Sequence, residues 1–232
     1  MQVVVFADID GTMTDERDKI PPATVEALAR LEEAGIPVVP SSGNAYPIAY
    51  TVARYMPGPG WAVGENGGVY GLRGDYRLAA QPIREELRRI VHERLEEVLV
   101  ESWQNEFRYV DLAFHPARGL TPEEAVERAR RVLEPLGYEV LNSGYAIHIH
   151  RRGVSKGAVI PLVVEAMGLG DAYIVAIGDS EVDVDMFRAA DFSIALGNAA
   201  PHVKRFAKMS VEKGFAEGFV EAVKVILDSL VK

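Results

Sequence analysis

Residues 2–7, Gln-Val-Val-Val-Phe-Ala, form an apolar run with no polar face, and the run ends abruptly in Asp8-Ile9-Asp10-Gly11-Thr12. A strand apolar on both sides suits a sheet covered on both faces, typically a parallel sheet flanked by helices. The next segment supplies such a helix. Pro21 and Pro22 suit its start, Val25, Leu28 and Leu31 recur at helical spacing, and Gly35 marks a stop. Residues 36–42 then read as a second strand and 45–56 as a second helix, so the chain opens as an alternating α/β fold with right-handed crossovers.

The pattern changes after residue 60. The glycines of Trp61-Ala62-Val63-Gly64-Glu65-Asn66-Gly67-Gly68-Val69-Tyr70-Gly71 predict tight turns over 64–71. Residues 83–98 read as an Arg/Glu-rich helix and 108–114 alternate like a strand with one wet face. Thr121-Pro122-Glu123-Glu124 is a capping box that opens another helix, and 138–142 with 145–150 read as a hairpin around Ser143-Gly144. The alternating architecture resumes with a helix over 155–168, in which Pro161 is awkward, a strand over 173–178, a helix near 183–190 and a strand over 192–196. Helices near 200–207 and 215–230 complete it. The expected fold is a Rossmann-like parallel-sheet core, residues 1–80 and 154–232, interrupted by a small α+β cap, residues 81–153.

With 232 residues, 48% of them hydrophobic, the chain can bury a sizeable core without staples. It has no cysteine, which removes disulfides, thiolate metal sites and cysteine nucleophiles and fits a reducing cytoplasm. A formal charge of −9 argues against nucleic acid as a partner. The start of the chain has no basic leader, and no apolar run approaches the roughly 18 residues of a membrane span. The expectation is a cytoplasmic protein without membrane or nucleic-acid partners.

Loops at the carboxyl ends of parallel strands converge on one crevice. The first strand delivers Asp8 and Asp10, the second Ser41, Ser42, Gly43 and Asn44, and the strand over 173–178 delivers Asp179, Ser180, Glu181 and Asp183. Lys156 lies where the chain returns from the insertion. Each pair of carboxylates about 4 Å apart costs roughly 4 kcal/mol at an effective dielectric near 20, so a cation is required. The oxygen-only donor set selects a hard ion, Mg²⁺ above others, which characteristically pairs carboxylates with a substrate phosphate. A Ser hydroxyl, the amides of a Ser-Gly turn and a lysine ammonium suit phosphoryl oxygens, so the expected substrate is a small phosphorylated metabolite.

These motifs together resemble the haloacid dehalogenase-like phosphohydrolases along essentially the whole chain. Asp8 through Thr12 match the family's first motif, Ser42 falls at the second, Lys156 at the third, and Gly178-Asp179-Ser180-Glu181-Val182-Asp183 at the fourth. Glu65-Asn66-Gly67-Gly68 and Leu196-Gly197-Asn198-Ala199 resemble the branch with a C2-type cap between the second and third motifs. The resemblance implies that Asp8 is the nucleophile and forms an aspartyl-phosphate, while Asp10 is the acid/base. It implies Mg²⁺ held by Asp8, Asp179, Asp183 and the main-chain carbonyl of Asp10. The phosphoryl group would be held by Ser42, Gly43, Asn44 and Lys156.

Two positions depart from that branch. Val182 stands where Asn is frequent, and Asn44 ends the turn that usually reads Thr-Gly-Arg. The Ser-Gly-Asn turn with a short cap is similar to that of the archaeal phosphoglycolate phosphatases, which makes 2-phosphoglycolate the leading substrate. A sugar-phosphate phosphatase or phosphomutase is the alternative, and a phospho-Asp signalling receiver, half this size and lacking an insertion, the remote one. A doubly anionic small substrate requires donors on the cap, for which Arg108, His115, His148, His150 and Arg151 are candidates. Exposed apolar residues on the cap would support a homodimer.

Overall fold

Val3–Ala7 is buried along its whole length, and its alternation divides the core in two. The computed structural model describes residues 2–230. In chain order its elements are β1 Val3–Ala7, α1 Pro22–Glu33, β2 Val38–Pro40, α2 Tyr46–Tyr55, β3 Trp61–Gly64, β4 Val69–Leu72 and β5 Asp75–Leu78. Then come α3 Arg84–Arg94, β6 Leu99–Glu101, β7 Asp111–Pro116, α4 Pro122–Leu133, β8 Tyr138–Asn142 and β9 Ile147–Arg151. The last part is α5 Ile160–Ala166, β10 Tyr173–Gly178, α6 Val184–Ala189, β11 Phe192–Ala195, α7 Pro201–Lys204, β12 Met209–Ser210 and α8 Phe215–Leu230.

The central sheet has the order β12-β11-β10-β1-β2, and all its pairings are parallel. Val3, Val5 and Ala7 face α1, α2 and α8 through Leu28, Leu31, Ala49 and Phe219, whereas Val4 and Phe6 face α5 and α6 through Val163 and Phe187. Full burial of a Val or Phe side chain stabilises by ~1.5–3 kcal/mol, so β1 alone fixes three layers and their order. The resulting rigid strand carries Asp8 at its carboxyl end, where the Asp8 amide still donates to the Ile177 carbonyl of β10 at 3.0 Å.

Residues Arg84–Arg151 build a second layer pair. The antiparallel sheet β6-β7-β9-β8 carries α3 and α4 on one face, around Leu87, Leu112, Phe114, Leu133 and Ile149. The alternate positions, including Ala113, His148 and His150, lie on the other face, because strand side chains alternate. Thr121 caps α4 as the sequence predicts, with its hydroxyl on the Glu124 amide and the Glu124 carboxylate on its own.

Several expectations need correction. The stretch read as turns over 64–71 is mostly strand, because β3, β4 and β5 form an antiparallel sheet and only Glu65–Gly67 turn. Its glycines answer close packing: a Cβ on Gly64 would lie 2.6 Å from Tyr46 Cα, and one on Gly71 2.3 Å from the Asp75 carbonyl oxygen. The helix predicted over 83–98 stops at Arg94, since Leu95, Val98 and Leu99 turn inward to the cap core. The strand predicted from 108 begins at Asp111, because the Tyr109 and Val110 amides are drawn off to the Glu65 carboxylate. The helix predicted from 155 begins at Ile160, with Pro161 in its first turn, where a missing N–H costs nothing. The helix near 200–207 shortens to Pro201–Lys204, and β12 follows it.

Candidate active site

Asp8 and Asp10 leave β1 on a turn that Gly11 makes possible. Gly11 has φ +81°, and a Cβ there would lie 2.6 Å from Asp179 Oδ2. The turn and the β10 loop therefore touch through bare backbone. Thr12 Oγ1 donates to Asp179 Oδ1 at 2.7 Å, and Asn198, from the loop after β11, donates to Asp179 Oδ2 at 2.9 Å and to the Gly11 carbonyl at 3.0 Å. Thr12 closes the first motif and Asn198 lies in the Leu196-Gly197-Asn198-Ala199 segment, but the sequence assigned neither a role; both stand at strand ends that feed the crevice.

Lys156 lies buried between two carboxylates, donating to Asp8 Oδ1 and to Asp183 Oδ1, each at 2.6 Å. Asp183 is buried as well. Its Oδ2 accepts from the Asp179 amide, the Ser180 amide and the Ser180 hydroxyl at 2.9–3.0 Å, which fixes the loop after β10. Oxygens of Asp8, Asp179 and Asp183 all lie within 4.8 Å of one another. The Asp10 side chain is outside this trio; its Oδ2 accepts from Asn44 Nδ2 at 2.6 Å.

The electrostatics follow from this crowding. Burial pushes the Asp8 carboxyl well above the usual carboxylate range, with Lys156 opposing and Asp183, Asp179 and Asp10 adding to the rise. Burial and Asp183 raise Asp179 to about 6, and burial raises Asp10 despite Lys156. Burial lowers the affinity of Lys156 for its proton, but Asp183 and Asp8 outweigh it and hold the ammonium charged. Four acids around one ammonium leave a deficit of positive charge on an all-oxygen donor set, so the residues present fit a hard divalent cation.

The turn after β2 forms the next wall. Ser42 is fully buried, and its hydroxyl accepts from the Asn44 amide at 3.0 Å and from Asn44 Nδ2 at 3.2 Å, so it shapes the turn that presents Gly43 and Asn44. Asp8, Asp10, Gly43, Asn44 and Lys156 line a cavity of about 320 Å³, roofed by the cap. That volume is at the small end for ligand pockets. Of the five cap residues expected to supply donors, Arg108, His115 and His148 reach this cavity. His150 lines a separate cleft, and Arg151 turns outward to Glu86 and the Tyr138 ring. Asp185 pairs with Arg188 on the exposed face of α6.

A buried polar network, not evident from residue spacing, joins cap to core. Asp111 Oδ1 accepts from Arg108 Nη1 and faces His148 Nδ1, each at 2.8 Å, and its Oδ2 accepts from Asn66 Nδ2 at 3.2 Å. Arg108 Nη2 donates to the Gly43 carbonyl at 2.7 Å, and Gln104 Nε2 donates to Asn44 Oδ1 at 2.8 Å. Below them Glu65, at φ +54°, takes the Tyr109, Val110 and Asp111 amides on one oxygen.

Burial raises the Glu65 carboxyl from 4.5 to about 7 despite those three amides. The folded value lies above the ordinary one, so the stability it contributes is complete below about pH 4.5 and lost as the pH rises through about 7. The gap is worth ~3 kcal/mol. Glu65→Gln keeps an acceptor for the amides and removes the titration. Denaturant unfolding from about pH 5 to about pH 8 should show a smaller loss of stability in the variant than in the wild type.

The sequence matches the haloacid dehalogenase-like hydrolases over residues 5–110 and 122–223. It is 36% identical to a phosphoglycolate phosphatase of Methanoculleus marisnigri over 231 residues, covering 97% of this chain and 96% of that protein. It is 39% identical to a phosphoglycolate phosphatase of Pyrobaculum aerophilum over 227 residues, covering 97% and 95%. A crystal structure of a Thermoplasma acidophilum protein, 25% identical, superposes with a TM-score of 0.85 over 97% of this chain and 98% of that one. No helix among the described residues is long and apolar enough to cross a membrane.

Proposed function

The chain belongs to the haloacid dehalogenase-like hydrolases, and from that premise we propose that it is a cytoplasmic, Mg²⁺-dependent phosphomonoesterase converting 2-phosphoglycolate to glycolate and phosphate. One observation carries the chemistry: Asp8, with Lys156 Nζ at 2.6 Å, and Asp10, with Asn44 Nδ2 at 2.6 Å, stand side by side at the floor of a small roofed cavity. The phosphoglycolate phosphatases similar to this chain along nearly its whole length, and the size of the cavity, support the substrate.

Asp8, Asp179, the Asp10 carbonyl and Asp183, directly or through water, would hold Mg²⁺. Bound there, the ion neutralises the carboxylates and the charge on the phosphoryl oxygens. Asp8 attacks with the oxygen that Lys156 leaves free. A bond forms between that oxygen and phosphorus, the ester P–O bond breaks, and Asp10 gives its proton to the departing glycolate oxygen. The raised affinity of Asp10 for its proton suits it to that step. Now a carboxylate, Asp10 takes a proton from water, which attacks phosphorus and releases phosphate and Asp8. Lys156, with the turn of Ser42, Gly43 and Asn44, orients the phosphoryl group throughout, and phosphoryl transfer depends chiefly on such positioning.

Asp10→Asn should lower kcat ~10²–10⁴-fold, the usual contribution of a general acid/base. Steady phosphate release with Mg²⁺ at near wild-type rate would rule out that role. The substrate is tested by kcat/KM over a panel of small phosphomonoesters. Phosphoglycolate should lead; equal values across the panel would remove it and leave the phosphatase, and label passing from a bisphosphate to a second sugar phosphate would instead mark a mutase.

A further inference from the structure

We infer that His148, presented by Asp111 on the cap sheet beside Arg108, forms the subsite for the carboxylate of the substrate, with Nε2 as the group that meets it. The inference rests on the phosphoglycolate reading and adds to it the residue that reads the end of the molecule away from phosphorus.

His148 sits on β9, on the face of the cap sheet turned to the core, and its ring lines the roof of the cavity. Asp111 is fully buried, and although burial raises its carboxyl, His148 and Arg108 outweigh this and keep it ionised. An ionised carboxylate 2.8 Å from Nδ1 makes Nδ1 the donor, which fixes the ring and leaves Nε2 as its free edge. Among the described residues Nε2 has no hydrogen-bond partner, and it is not among the buried polar atoms closed off from solvent.

That edge lies close to the phosphoryl end. A Cβ on Gly43 would fall 3.3 Å from His148 Nε2 and 3.2 Å from Cε1, so the ring is seated over the turn whose next residue holds Asp10. Asp8 and His148 line the same small cavity, so a short substrate with phosphorus at Asp8 would bring its far end to the ring. The charges agree. Arg108 is tied to Asp111, the Gly43 carbonyl and Gln104, which leaves it no terminal N–H for a ligand but lets it balance Asp111. With Nδ1 donating to Asp111 and Arg108 balancing that acid, Nε2 is the ring edge left to bond a ligand in the cavity, and a proton there would be donated to it. A substrate carboxylate is the complement of that edge. The acids Asp10 and Asp18 lie on the core side of the same cavity, so the roof is where a second anion is accepted.

The test compares 2-phosphoglycolate with 2-hydroxyethyl phosphate, which has CH₂OH in place of the carboxylate. His148→Asn keeps a nitrogen donor for Asp111 and withdraws the group that reaches the cavity. Loss of one charge-assisted hydrogen bond should cost ~10–100-fold in kcat/KM for phosphoglycolate, mainly through KM, with hydroxyethyl phosphate changed by no more than ~3-fold. His148→Gln, whose amide reaches nearer the Nε2 position, should keep more of the preference than Asn. Equal losses on both substrates, or a preference undiminished in the Asn variant, would overturn the subsite while the wild-type preference still upheld the phosphoglycolate reading. A wild type that does not prefer phosphoglycolate would sink that reading, and the subsite with it, before any variant is made. If the Asn variant does not fold, the Gln variant decides by the same ratio.

Discussion

Asp8→Asn should abolish turnover, with kcat falling ~10⁴-fold or more, as removal of a covalent nucleophile does elsewhere. The exchange is nearly isosteric. The amide oxygen can still accept from Lys156, which now bonds Asp8 Oδ1 at 2.6 Å, so the loss would report chemistry and not a displaced strand. Stability should move the other way. The Asp8 carboxyl is raised by burial and by the acids around it, so above its ordinary 3.8 it costs the metal-free fold stability that an amide does not. The Asn variant is therefore expected to unfold at a temperature equal to or above that of the wild type in metal-free buffer. Phosphate release and thermal unfolding, measured on the same preparations, check both halves. A variant that keeps steady turnover would remove Asp8 as nucleophile, and one that loses activity and stability together would show that the charge holds the fold.

The core was legible because its signals are local. A fully apolar run such as Val3–Phe6 fits few environments, and the carboxyl ends of parallel strands name the crevice once the strands are placed. What escaped was set by tertiary contacts. Gly64 and Gly71 look like turn formers until Tyr46 and Asp75 are seen against them, and the start of β7 depends on Glu65, more than forty residues away. The residues beneath the site divide similarly. Asp179, Thr12 and Asn198 all sit in motif segments, but only the structure shows that Thr12 and Asn198 hold the two oxygens of Asp179. The sequence offered His148 and His150 alike as cap donors, but it could not tell that Asp111 fixes the first over the cavity while the second opens on another cleft.

Lys156→Met should be the most damaging single change to site and fold together, because one ammonium serves both. Its Nζ is 2.6 Å from Asp8 Oδ1 and from Asp183 Oδ1, with all three side chains at most 7% exposed. Removing one partner of a buried ion pair typically costs ~3–5 kcal/mol, since the charge left behind has neither water nor a counter-ion. Turnover should fall at least ~10³-fold, the scale on which loss of a preorganised positive donor at a phosphoryl or oxyanion centre is felt. The stability loss should depend on pH in a direction fixed by Asp8. Lys156 opposes the rise of that carboxyl, so its removal lifts the folded value further above the ordinary 3.8. Stability in the variant is then greatest below about that pH and falls as the pH rises through the new folded value. Saturating Mg²⁺, which by mass action favours whatever state binds it, should restore part of the neutral-pH loss without restoring turnover. Thermal unfolding at about pH 5 and about pH 8, with and without Mg²⁺, checks the prediction. A variant whose stability is insensitive to both would mean that the ammonium acts only on the substrate, and that the carboxylates beneath Asp8 are balanced by something other than Lys156.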